Sequence, residues 1–137
     1  MSKRKPLEVK APDWRWRKLI HQAVSDATSR LGITQSELSV RLGVGREIML
    51  WSRNPAPLPG YDYPRKGIGL GKAVELCREH AGWDEDAIEV MAGAWVEEGY
   101  WKVQREHIRS IRMLSKAAQA ERWVDLGRIA LETGKLP

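Results

Sequence analysis

The chain is 137 residues long, with 42% hydrophobic and 30% charged side chains. That is the size and make-up of one globular domain, which excludes most multidomain enzymes and a disordered chain. Its single cysteine, Cys77, excludes an intrachain disulfide and any multi-cysteine zinc site, and a net charge of +5 favours a polyanionic partner.

No apolar run is long enough to span a bilayer or to serve as a secretory core, so a cytoplasmic protein with no membrane contact is expected. The charge is unevenly spread. Residues 84–99 hold six acidic and no basic side chains, and the positive excess lies on either side of them.

Residues 1–12 carry Lys3, Arg4, Lys5 and Lys10 with two prolines and read as a mobile basic arm. From Asp13, the expected N-cap, Trp16, Leu19, Ile20, Ala23, Val24, Ala27 and Leu31 recur at helical spacing, and Gly32 supplies the stop. The next start is the best signalled in the chain. Thr34 and Glu37 make a capping box, flanked by Ile33 and Leu38 as a hydrophobic staple, and the helix runs to about Leu42.

Gly43 interrupts, and Arg46–Ser52 forms a further short helix before the prolines at 55, 57 and 59 forbid continuation. The long loop from Arg53 to Gly71 is rich in Pro, Gly and Tyr, a composition that marks function or mobility. A helix launched near Leu70 carries Val74, Leu76, Cys77 and Ala81 to a stop at Gly82. Asp84 then caps a helix with Ile88, Met91, Ala92, Trp95 and Val96 on its apolar stripe, closed by Gly99. From Tyr100 to Thr133 the helical pattern is unbroken by proline and fits one long helix or a hairpin of two, ended by Gly134. No segment alternates with period two, so the fold class expected is all-α.

The residues Thr34-Gln35-Ser36-Glu37-Leu38-Ser39-Val40-Arg41-Leu42-Gly43-Val44-Gly45-Arg46-Glu47-Ile48-Met49-Leu50-Trp51 resemble the helix-turn-helix of lambda-repressor-like (Cro/XRE-type) DNA-binding domains. Leu38, Ser39, Leu42, Gly43 and Val44 stand where that family has a Leu, a small residue, a second Leu and Gly-Val. The small residue admits the second helix closely and the glycine allows the sharp turn. The resemblance covers about residues 13–83, leaving residues 84–137 as a helical extension. It implies a sequence-specific reader of double-stranded DNA, of the transcriptional-regulator kind found in phage and mobile elements, homodimeric through the C-terminal helices and without a cofactor.

It further implies that the 46–52 helix lies in the major groove, with Arg46 and Glu47 on base edges and Leu50 and Trp51 on thymine methyls or the backbone. Gln35, Arg53, Arg65, Lys66, Lys72 and the arm residues Lys3, Arg4 and Lys5 are the expected backbone contacts. Gly67–Gly71, at a helix N-terminus, adds amides that favour a phosphate. The pattern departs from the family at Trp51-Ser52: either the turn is one residue shorter, making Ile48 and Trp51 the buried pair, or the helix has become a protein interface. A DNA reader buries Met49 and exposes Arg46, whereas a protein-binding adaptor, such as a phage assembly or inhibitor protein, presents Ile48, Leu50 and Trp51 as one patch. A non-specific architectural DNA binder is a third alternative.

Lys102, Arg105, Arg109, Arg112 and Lys116, spaced three and four apart, define one basic helical face. It tracks a second backbone, pairs with the acidic stretch, or is solvated. His21, His80 and His107 lie on separate predicted helices with no metal-ligand spacing, so neither a metal site nor catalysis is expected.

Overall fold

The computed structural model describes residues 9–137. Those residues form seven α-helices and no strand: α1 (Arg15–Leu31), α2 (Gln35–Leu42), α3 (Arg46–Arg53), α4 (Leu70–Glu75), α5 (Glu85–Val103), α6 (Arg105–Arg112) and α7 (Lys116–Thr133), with a π-helical turn, Leu76–His80, continuing α4. No helix among them is long and apolar enough to cross a membrane.

Helix α1 is the hub, packing on α2, α3, the π-helical turn and α5. Its inner face buries Trp16, Ile20, Ala23, Val24 and Ala27, as the spacing predicts, and Gly32 ends it in the left-handed conformation. Its start differs from expectation. Asp13 is not the cap: Trp14 holds that position with a left-handed φ of 53° and no side-chain cap, its ring edge-on to Trp101 at 6.3 Å between centroids. The aromatic contact takes the place of the capping hydrogen bond.

Thr34 and Glu37 form the full capping box of α2, and Gly43 turns the chain at φ 69° into α3. The π-helical turn closes on an Ala81 N–H donated to the Leu76 carbonyl, and Gly82, at φ 71°, lies under the Arg30 side chain. Arg30 donates to the His80 carbonyl, satisfying a helix end. Asp84 caps α5 as expected.

Gly99 does not close α5, which runs on to Val103. The glycine serves packing instead, since a Cβ there would meet the Leu136 side chain. Beyond it the chain breaks at Gln104 and again at 113–115, where Ser115 caps α7, so of the two alternatives the single long helix is overturned and two helices, α6 and α7, pack together, with Tyr100–Val103 belonging to α5. The five-residue basic face is therefore overturned: Lys102 lies on α5, Arg105, Arg109 and Arg112 on α6 and Lys116 on α7.

Helices α5 and α7 share the most extensive contact of the fold, and they cross at two glycines. A Cβ on Gly93 would stand 2.4 Å from the Trp123 carbonyl oxygen, and one on Gly127 2.5 Å from the Gly93 nitrogen. Both obstacles are backbone, so neither yields by a rotamer change. Gly127→Ala is expected to destabilise the protein by about 1–3 kcal/mol, the usual cost of overpacking, in urea denaturation; a wild-type midpoint would mean that the crossing is looser than described.

Candidate nucleic-acid interface

Helix α3 is amphipathic over two turns. Met49 and Ser52 face inward, and Arg46, Glu47 and Leu50 are exposed. The shorter-turn alternative is thereby overturned, because Ile48 and Trp51 are only partly covered while Ser52 is fully buried. A serine fits there because the chain returns across it. Ser52 Oγ donates to the Ile48 carbonyl at 2.7 Å and accepts the Ile68 N–H at 2.8 Å, and a Cβ on Gly67 would lie 2.6 Å from Ser52 Cα. The Ile68 amide is thus spent inside the fold and not offered to a phosphate.

Counting about 100° per residue, Leu50 and Glu47 mark the outward line of α3, Arg46 and Arg53 its α2 side, and Trp51 and Ile48 the other side. On the α2 side Gln35, Arg46, Leu50 and Arg53 line one shallow groove of about 80 Å³ over Ser39 and Met49. Two expected base contacts and two expected backbone contacts are thus brought together. Ser39 is buried, with its hydroxyl donated to the Gln35 carbonyl, the small residue that lets α3 approach α2.

On the other side the Arg65 guanidinium sits 5.0 Å from the centre of the Trp51 ring. Trp51 is half-buried under that cation. Lys66 is exposed beside it, and Lys72 is exposed on α4, 3.7 Å from Glu75. Lys3, Arg4 and Lys5 lie outside the described residues. Three of the other basic candidates are drawn into the fold. Lys102 stands 3.6 Å from Glu98, Arg105 binds Asp62 at 2.5 Å, and Arg112 donates to the Lys10 carbonyl, while Lys116 is exposed at the start of α7. Burial lowers the Lys102 pKa, with Glu98 pulling it back up.

The sequence reading missed the group that holds α3 in place. Arg17 is fully buried and grips both carboxylate oxygens of Glu98 on α5 at 2.9 Å, while its Nη1 donates to the Trp51 carbonyl at the end of α3. A signal existed, because Arg17 falls on the same face of α1 as Ile20 and Val24, and Glu98 on the same face of α5 as Ala94 and Trp101. A charge on an apolar stripe asks for a partner.

No group of three or more His, Cys, Asp or Glu among the described residues is placed to hold a metal. Burial, reinforced by Asp26, pushes the Cys77 thiol up to about 12, so it is a protonated core group at neutral pH. Comparison of the chain with protein-family models, with curated proteins and with solved structures finds no match in any of the three.

Glu98→Ala strands a buried guanidinium and is expected to cost about 3–5 kcal/mol in denaturant titration; a loss within error of zero would show that Arg17 is solvated. Cys77 is expected to react with a thiol reagent at pH 8 only as fast as the protein unfolds, and prompt labelling of the native chain would contradict its burial.

Proposed function

We propose that this protein is a sequence-specific DNA-binding protein, a cytoplasmic transcriptional regulator that reads the major groove with the N-terminal half of α3. The observation that carries the reading is the division of α3: Met49 and Ser52 are inside, and Arg46, Glu47 and Leu50 stand free on the outer face. An arginine there suits the O6 and N7 of guanine and a glutamate suits the N4 of cytosine.

Charge supports it. Among the described residues no ion pair joins Arg46, Arg53, Arg65 or Lys66 to a carboxylate, whereas the acidic segment 84–99 is engaged by Arg15, Arg17, Arg78 and Arg128. Four of the six acids in that segment, Glu85, Glu89, Glu97 and Glu98, are thus paired with structural arginines, which leaves the α3 face positive. The Lys and Arg residues beside α3 hold the duplex by its phosphates, and α3 selects the sequence.

The adaptor reading has less to recommend it. Ile48 and Leu50 are both exposed, but they lie about 160° apart around α3 and do not form one patch. The exposed apolar residues Leu114 and Ile129 line a groove with Tyr100, Ile111 and Leu126, and there we place the contact of a homodimer.

Selection of bound fragments from random DNA at about 150 mM salt tests the proposal, with a specific site expected to bind ~10³-fold or more tighter than a scrambled duplex. A palindromic site is expected of a dimer. Arg46→Ala is expected to lose about 1–3 kcal/mol on the selected site and to relax the preference at one base pair. Unchanged discrimination in that variant would remove Arg46 from the readout.

A further inference from the structure

The segment between α3 and α4 is not a slack loop. Leu58–Tyr61 makes a turn closed by the Tyr61 N–H on the Leu58 carbonyl, with Pro59 at the second position and Gly60, at φ 82°, at the third, the residues a type II turn requires. The Leu58 N–H returns to the Tyr63 carbonyl, and Pro57 bridges Pro64 in antiparallel fashion. The result is a small stiff hairpin. Tyr61 and Tyr63 pack beside its turn with rings tilted by 50°, 5.2 Å between centroids, and Tyr61 is more than half exposed.

The hairpin is fixed at two places. On one side Arg65 lies over Trp51 of α3. On the other, Asp62 accepts from Arg105 of α6 through its carboxylate and from the Trp101 Nε1 of α5 through its carbonyl, and the Lys102 ammonium lies 5.7 Å from the Tyr63 ring centre. The part of the sequence that reads as a second basic stripe thus supplies a buttress.

We propose that residues 57–66 form a wing that grips the sugar–phosphate backbone opposite the one faced by α2, through Arg65, Lys66 and Tyr61, and that Asp62 and Arg105 set its reach. The inference rests on the reading of α3 as a major-groove helix. The groove with Gln35 and Arg53 lies on one side of α3, and the wing on the other. A helix in the major groove has a phosphate backbone on each side, across a groove about 12 Å wide. Cations on both flanks of α3 therefore meet both strands. Tyr61 adds a hydroxyl and a flat apolar face for a sugar. Asp62 and Arg105 are positioning residues, acting through the wing.

The sign of one effect separates this role from bulk electrostatics. Asp62→Ala removes a negative charge near the DNA, so charge alone predicts tighter binding; loss of the buttress predicts weaker binding. The experiment is a fluorescence titration of the wild-type, Asp62→Ala and Lys66→Ala chains on the selected duplex across a range of salt. It is repeated on duplexes with uncharged methylphosphonates placed on one strand or the other, and melting curves check each variant's fold.

Lys66→Ala is expected to reduce the slope of log K against log salt by about 1 and to become insensitive to neutralisation of one strand only. Asp62→Ala is expected to weaken binding and lose sensitivity on that same strand, while Asp62→Glu, which keeps the carboxylate, restores both. If Asp62→Ala melts early, exposed Lys66→Ala carries the test alone. Discrimination of the selected site by the wild type, together with wild-type strand patterns in the variants, would overturn the wing and leave the reading of α3 intact. A wild type with no preference for any duplex would overturn both.

Discussion

The fold turns on a charge placed where no charge is cheap. Arg17 has no exposure to solvent, so its guanidinium is tolerable only because Glu98 takes it with both oxygens and the Trp51 carbonyl takes a third N–H. The last carbonyls of a helix have no partner within it. Here the Trp51 carbonyl, which the Asn54 N–H reaches at 3.3 Å, takes a second donor from a side chain of α1 that is itself held by α5. The pitch and depth of α3 consequently depend on a helix some 45 residues further along the chain.

That dependence gives the C-terminal helices a part in positioning the candidate interface. The buried core runs without interruption from Trp16 through Ile88 and Met91 to Leu126 and Ala130. Arg15–Glu97 joins the same two helices beside the Arg17–Glu98 link and closer to the surface, and Asp62–Arg105 ties the hairpin to α6. The acidic segment 84–99, which stands out in the sequence as a charge anomaly, is the partner set for arginines from α1, the π-helical turn and α7.

Close approach is the second organising constraint. Where α5 crosses α7 and where the chain returns over α3, the approach is too close for a glycine to carry a methyl. Gly93 and Gly127 let two backbones touch, and Gly67 lets the chain lie on Ser52. Ser52 also accepts the Ile68 N–H there, so a small polar residue does what an apolar one of equal size would not.

What the sequence by itself determined is what depends on neighbours along the chain. Helical spacing placed the inner faces of α1 and α5, the Thr34–Glu37 box placed α2 to the residue, and Gly32, Gly43, Gly82 and Gly134 marked turns whose left-handed φ favours glycine. The inward Met49 and outward Arg46 were legible as one of two alternatives. Tertiary structure alone decided the rest. Trp14 displaced Asp13 as the start of α1 because Trp101 lies against it, Gly99 became a packing residue because Leu136 reaches it, and the run from Lys102 to Lys116 broke into three helices. The partners of Arg17 and Asp62 are 81 and 43 residues away. No local pattern encodes such a pairing, because it is the packing of helices against one another that brings the two charges within reach.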